Sequence, residues 1–413
     1  MNPTIIEDIK ARKILDSRGN WTIEVDVVTR MGMGFGSAAA PSGASTGEHE
    51  VTAFPDGDVD KSLIEIEEII IPELIGRDSA EQDIIDSILK EIDGTPSFSN
   101  IGGNAATAIS LACAKAAASS YDMPLYQYLG GTMMTQLPFP LGNIIGGGAH
   151  AVGTDIQEFL ALPVGAGDME TCLRTNILVY RKVKEKLRAK GKLCGKGDEG
   201  AWVADLKSEE ALALLAEACS EVSGESDVEV RPCLDVAASE LWDGKKKRYV
   251  YRRDRVERTR EEQIEFIEGL IDEYGVYYVE DPLEENDFEG FSKIRKKALI
   301  CGDDLYTTNV ERIKKGIKEG STNAVLIKVN QIGTLTDTYC AVRTAKESNQ
   351  VPVISHRSGE TTDESIAHLA VGYGCPIIKT GTVSGERIAK LNELLRISEE
   401  LGAERAKMAK LPI

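Results

Sequence analysis

Six short apolar runs in the second half of the chain each end in a charged or polar side chain, and no other feature restricts the fold as strongly. They are VRPCLDV at Asp235, VYYVED at Glu280, ALICGDD at Asp303, AVLIKVN at Lys328, VPVISHRS at His356 and CPIIKTG at Lys379. The intervals between those residues are 45, 23, 25, 28 and 23, most of them long enough for one amphipathic helix. That alternation is the rhythm of a (β/α) barrel, whose strands carry chemistry at their C-terminal ends. Three carboxylates, two lysines and an imidazole then converge on one mouth. Three acids in a row call for a hard cation, and two lysines beside them suggest proton abstraction and anion binding.

At 413 residues the chain is too long for one ordinary core, so two domains are expected. A net charge of −19 argues against nucleic-acid binding, which needs basic surface. It also means that any site for an anionic substrate must create its own positive field. The eight cysteines form no CxxC pair and several lie in apolar stretches, as Cys113 does in ATAISLACAKAAA. They are expected to be reduced core residues, which suggests a cytoplasmic protein. The opening MNPTIIEDIKARK has no long apolar stretch, so no secretory signal is expected, and no 18-residue apolar run predicts a membrane span.

Residues 5–40 are expected to form three strands, with Trp21, Ile23, Val25 and Val27 on one face. Glycines 32, 34 and 36 lead into no helix in the way a dinucleotide fingerprint would. PSGASTGEHE (41–50) is expected to be a mobile loop, and helical patterns follow at about 60–74, 79–92 and 104–120. An α+β domain is therefore expected over 1–130 and the barrel over 138–413, joined by a bridge containing Gly130, Gly131 and Pro138. Thr259 to Glu262 and Thr308 to Glu311 have the spacing of capping boxes. The basic stretch KKKRYVYRRDR (245–255) is expected to be an exposed hairpin.

Asp235, Glu280 or Asp303 taken singly is readable as a strand-end acid or a helix cap. Together, on consecutive barrel units, they are better explained as a cation cage, because three such charges cannot sit close without a metal or protonation. All-oxygen ligands select Mg²⁺ or Mn²⁺ over zinc. Asp304 follows Asp303, and strand alternation predicts that only one of the two reaches the metal. Lys328, emerging from an apolar strand near other cations, is expected to have its pKa lowered to about 7–8. Lys379 has the same placement. His356, Arg357 and Ser358 make a compact anion clamp, with the guanidinium fork suited to phosphate or carboxylate. His150 follows a glycine run, Glu158 adds an acid nearby, and Glu199 lies between glycines in a loop through which backbone can approach a ligand.

These stretches in order resemble the enolase family: LDSRGN (15–20), PSGASTG (41–47), GDEG (197–200), EDP (280–282), GDDL (302–305), LIKVNQIGTL (326–335), SHRSGET (355–361) and IKTG (378–381). AKLNELLRI (389–397) fits the family's final helix, so the resemblance spans nearly the whole chain. It implies an α/β fold: an N-terminal α+β cap and a C-terminal (β/α)8-type barrel whose first units are irregular, ββαα. It implies interconversion of 2-phosphoglycerate with phosphoenolpyruvate and water, two Mg²⁺ per site, and a homodimer or a ring of dimers. By motif, Asp235, Glu280 and Asp303 would hold the first Mg²⁺ and Ser45 the second. Lys328 would be the base at C2, and Glu199 the acid for the C3 hydroxyl, with Glu158 beside it. Arg357 and Ser358 would hold the phosphate, Lys379 would face the substrate carboxylate, His150 would close over the substrate and His356 would line the site. A Lys or His base working with Mg²⁺ is the recognised pattern of this superfamily rather than a deduction from spacing.

The chain departs from the family at Trp21, where Pro is usual, at Lys196, which places a cation near Glu199, and at Gly146, where Asn is frequent. Another superfamily lyase acting on a carboxylate, a non-catalytic paralogue and a Schiff-base aldolase using Lys328 are the competing readings. The SHRS clamp and the Ser45 loop disfavour the first, the presence of every proposed catalytic group the second, and the acid cage the third; chelation with EDTA is expected to abolish turnover and added Mg²⁺ to restore it. Full turnover in chelator would exclude the metal-dependent scheme.

Overall fold

The computed structural model describes residues 2–44, 46–151, 153–294 and 296–412, with His150 described by its main chain alone. The chain opens with an antiparallel sheet of three strands, Ile6–Leu15, Trp21–Thr29 and Phe35–Ala39. Period-2 alternation buries Ile23, Val25 and Val27 completely. Trp21 belongs to the same face by parity but begins the strand, beyond the edge of the core, and is 53% exposed.

The inner face of this sheet packs on the helix Gly103–Ser120. That helix is buried over most of its length, so its small alanines bring two backbones together. Gly34 and Gly36 mark the closest approach, since a Cβ on Gly36 would lie 2.1 Å from the Ala112 carbonyl oxygen. The first expected helix runs from Val59 to Leu74 but contains a π turn at Ile66–Ile70. Pro72 supplies the reason, because it has no N–H for a regular helical bond.

Eight strands then close a barrel: Phe139–Gly146, Glu158–Leu162, Arg231–Asp235, Tyr278–Glu280, Leu299–Gly302, Ala324–Ile327, Val351–Ser355 and Ile377–Lys379. The last pairs back onto the first through Ile377 and Phe139. The second strand is antiparallel to both of its neighbours, and the remaining pairings around the barrel are parallel. Two helices, Met169–Ala189 and Ser208–Ser226, follow it before the third strand, so the irregular ββαα start is present. Later strands are apolar along their whole length because helices cover their outer face and side chains fill the barrel.

The 45-residue interval after Asp235 holds a small antiparallel sheet, Trp242–Asp243, Arg248–Tyr251 and Val256–Arg258, ahead of the helix Arg260–Tyr274. The basic stretch is thus a three-stranded meander rather than a simple hairpin. Tyr249 and Tyr251 are buried there while Lys245, Lys246 and Lys247 are exposed. Thr259 and Glu262 form the expected reciprocal cap. The second expected cap is shifted by one residue: Asn309 Oδ1 accepts from the N–H groups of Glu311 and Arg312. Thr308 has a left-handed backbone (φ 57°), which turns its hydroxyl toward Lys328 and Gln331 instead. All eight cysteines are free thiols, and among the described residues no helix is long and apolar enough to cross a membrane.

The close sheet–helix contact predicts that Gly36→Ala destabilises the chain by about 1–3 kcal/mol through overpacking. It would be read as a lower urea midpoint at unchanged m-value. An unaltered midpoint would mean that the helix can retreat at no cost.

Candidate active site

The barrel register explains why distant acids meet. Glu158 pairs with Asp235 across one strand boundary and Asp235 with Glu280 across the next. Three carboxylates therefore stand at one level on adjacent strands. Asp303 joins them from the turn immediately after Leu299–Gly302. On the opposite side of the barrel, Lys379 ends its strand in register with Ser355.

The ammonium of Lys379 crosses the barrel to lie 2.7 Å from Asp235 Oδ2, 2.9 Å from Glu280 Oε1 and 3.4 Å from Glu158 Oε2. Burial alone would lower the Lys379 pKa, but Asp235, Glu158 and Glu280 outweigh it and hold the pKa well above the ordinary value. Burial and the neighbouring acids push the Glu280 carboxyl up to about 8, and burial with Glu199 raises Glu158 strongly. Tyr278 donates its hydroxyl to Glu280 Oε2 at 2.6 Å.

Lys328 pairs with Asp303, which also accepts from Gln331 Nε2 at 2.9 Å. The expected lowering of the Lys328 pKa is not found. Burial pulls it down, but the touching Asp303 carboxylate more than reverses that and raises it. The opposite member of the pair responds in kind: burial would raise Asp303, yet Lys328 holds its carboxyl below the usual range.

Asp303 lines the cavity together with Asp235, whereas Asp304 is not among the cavity's lining residues. Oxygens of Asp281, Asp303 and Asp304 lie within 4.8 Å of one another, a grouping able to hold a metal ion. Asp281 was not expected here. It accepts from the N–H groups of Asp303 and Asp304 at 3.0 and 2.7 Å and so shapes the turn that presents Asp303.

Glu199 lies across the cavity, receiving a hydrogen bond from Asn143 Nδ2 at 2.9 Å, with His356 Nε2 at 3.4 Å. Burial depresses the His356 pKa to about 4, so its ring is neutral at physiological pH. Arg357 binds Glu50 through both terminal nitrogens, at 2.9 and 3.1 Å, and reaches Asn330 at 3.0 Å. Ser358 Oγ accepts the Ala44 N–H at 2.6 Å, and the main chains of Ser42 and Gly359 form an antiparallel bridge. Ser42, Ala44 and Glu50 of the loop 41–50 therefore lie against the clamp.

One small cavity is lined by Glu158, Glu199, Asp235, Asp303, Lys328, His356, Arg357, Ser358 and Lys379. Glu280 reaches the same cluster through Lys379. Ser45 and the side chain of His150 lie outside the described residues. Five carboxylates around two lysines leave the centre short of positive charge. The oxygens of Glu158, Asp235 and Glu280 already converge on a single ammonium, so this donor set fits a hard divalent cation. Asn143, Thr308, Gln331 and Glu50 carry no sequence signal for the site, since each depends on a partner far away in the chain.

Family models agree with this geometry along the chain. The enolase N-terminal domain matches residues 6–129 and the enolase C-terminal TIM barrel domain matches residues 134–410. The chain belongs to the enolase family. It is 58% identical to the enolase of Methanosphaera stadtmanae over 407 residues, covering 96% of this chain and 98% of that protein. Identity to the Methanothermobacter thermautotrophicus enolase is 55%, covering 99% of each chain, and to the Archaeoglobus fulgidus enolase 49%, covering 98% and 100%.

The departures from the enolase pattern sit beside the site rather than in it. The Lys196 ammonium lies over the Trp202 and Tyr180 rings, 5.3 and 5.7 Å from their centroids, rather than pairing with Glu199. Trp21 stacks under Lys13 at the edge of the first sheet. A Cβ on Gly146 would meet Ala201 at 3.4 Å, an ordinary contact, so nothing in the structure requires glycine there.

Proposed function

We propose that this chain catalyses the reversible dehydration of 2-phosphoglycerate to phosphoenolpyruvate, the hydro-lyase step of glycolysis and gluconeogenesis. The observation that carries the reading is the convergence of an amine, a carboxyl group and an anion clamp on one cavity, in a chain matching enolases along its length. Arg357 and Ser358 hold the substrate phosphate, and Lys379 places its charge opposite the substrate carboxylate. Lys328 takes the proton from C2. Glu199 gives a proton to the C3 hydroxyl, which leaves as water while the C2–C3 double bond forms, and Glu158 lies beside it.

The C2 hydrogen is hard to remove because the adjacent carboxylate resists a second negative charge. Asp235, Glu280 and Asp303 would hold one Mg²⁺ and Ser45 a second, which would supply the positive charge that a chain of net charge −19 lacks at this point. The loop 41–50, already bonded to Arg357 and Ser358, excludes water from the cavity, and His150 closes over the substrate. His356 lines the site. The cap spans 1–130 and the barrel 138–413, and the working form is a cytoplasmic homodimer or ring of dimers.

Adding 2-phosphoglycerate and Mg²⁺ is expected to produce the ultraviolet absorbance of phosphoenolpyruvate, and no absorbance change would overturn the reading. Lys328→Ala is expected to abolish exchange of the C2 proton with solvent while Mg²⁺ binding persists; exchange at the wild-type rate would remove Lys328 as the base. Glu199→Gln is expected to slow dehydration more than C2 exchange, by a factor within the ~10²–10⁴ range of general-acid catalysis. Equal losses in both would cancel the acid assignment.

A further inference from the structure

Arg387 is an unusual residue for its location. It lies in the final helix, Gly385–Leu401, and is the largest fully buried side chain among the described residues. None of the proposed steps uses it. A buried guanidinium is costly unless its donors are satisfied. Here three hydrogen bonds go to the site: Nη1 lies 2.8 Å from His356 Nδ1 and 2.5 Å from the Arg357 carbonyl oxygen, and Nη2 lies 2.7 Å from the Ser358 carbonyl oxygen. Glu386 Oε1, 3.3 Å from Nε, is the nearest carboxylate. On its helix side the anion clamp is therefore held, by two main-chain carbonyls and one ring nitrogen, from a single planar fork.

The consequence for His356 is chemical. A guanidinium has only donors and keeps its proton in proteins. The His356 Nδ1 that faces it must therefore present a lone pair, and the ring hydrogen must be on Nε2. Nε2 lies 3.4 Å from Glu199 Oε2, close to it but not hydrogen-bonded. Asn143 Nδ2 donates to that same oxygen. The Asn143 bond thus holds Oε2 of Glu199 as an acceptor, with the His356 ring N–H next to it.

We infer that Arg387 is a positioning residue for the dehydration half of the reaction: it locks His356 as the Nε2–H tautomer facing Glu199 while fixing the main chain that carries Arg357 and Ser358. This rests on the proposed role of Glu199. A lysine cannot replace the fork, because one ammonium cannot meet a ring nitrogen and two carbonyls in a plane.

The test uses the full-length chain with Mg²⁺ and ¹⁵N-labelled histidine. The His356 signals are assigned by their absence in His356→Gln. In the wild type, Nδ1 is expected at the shift of an unprotonated nitrogen and Nε2 as the protonated one. Arg387→Met is expected to mix the tautomers and to lower dehydration by about tenfold or more relative to C2 exchange, with Arg387→Lys giving little rescue. A hydrogen on Nδ1 in the wild type would overturn the inference whether or not either variant folds. So would an unchanged ratio of dehydration to exchange in a folded Arg387→Met. Because the tautomer is read without turnover, its failure is distinct from failure of the wild type to form phosphoenolpyruvate, which would instead sink the proposed function.

Discussion

The contact on which the site depends is one buried ammonium against three carboxylates. Lys379 spans the barrel to Asp235, Glu280 and Glu158, and no water shell shares the load, because these groups are almost fully buried. In such surroundings each unpaired charge is expensive. The acids can stay together only while cations, protons or both are present, which explains the upward shifts of Glu158 and Glu280. The same shortage of positive charge makes the site fit for divalent ions.

The N-terminal segment completes the cavity rather than decorating it. Glu50 grips Arg357 with both oxygens, the Ala44 N–H meets Ser358, and Arg18 pairs with Asp198 in the loop that carries Glu199. Below this layer Arg387 and Lys390 reach up from the final helix, the first to the clamp and the second to Glu360 at 2.7 Å. The clamp is thus held from both sides, by a loop above and a helix below. Such support is what keeps catalytic groups within the narrow geometry that their chemistry tolerates.

The barrel was readable because its signal is periodic. Apolar runs ending at Asp235, Glu280, Asp303, Lys328, His356 and Lys379 became strand ends at those positions or within a residue of them. The misreadings share a cause. Thr308 looked like a helix cap, but its backbone conformation passes that role to Asn309 and gives Thr308 to Lys328. Lys328 looked like a lysine depressed by burial, but one touching carboxylate reversed the shift. Each outcome turns on a local break in regularity or on a contact of a few ångströms, and neither leaves a trace in spacing.

The order of residues by itself determined which side chains stand at the rim, because strand length and helix length fix where each run must end. It also determined the all-oxygen character of the acid set and the family. Closure of the barrel decided the rest: which acids share one ammonium, which oxygen of Glu199 accepts from Asn143, and that an arginine in the last helix reaches the back of His356. Those facts depend on through-space distances between segments tens to hundreds of residues apart, and electrostatic energy follows distance in space, not separation along the chain.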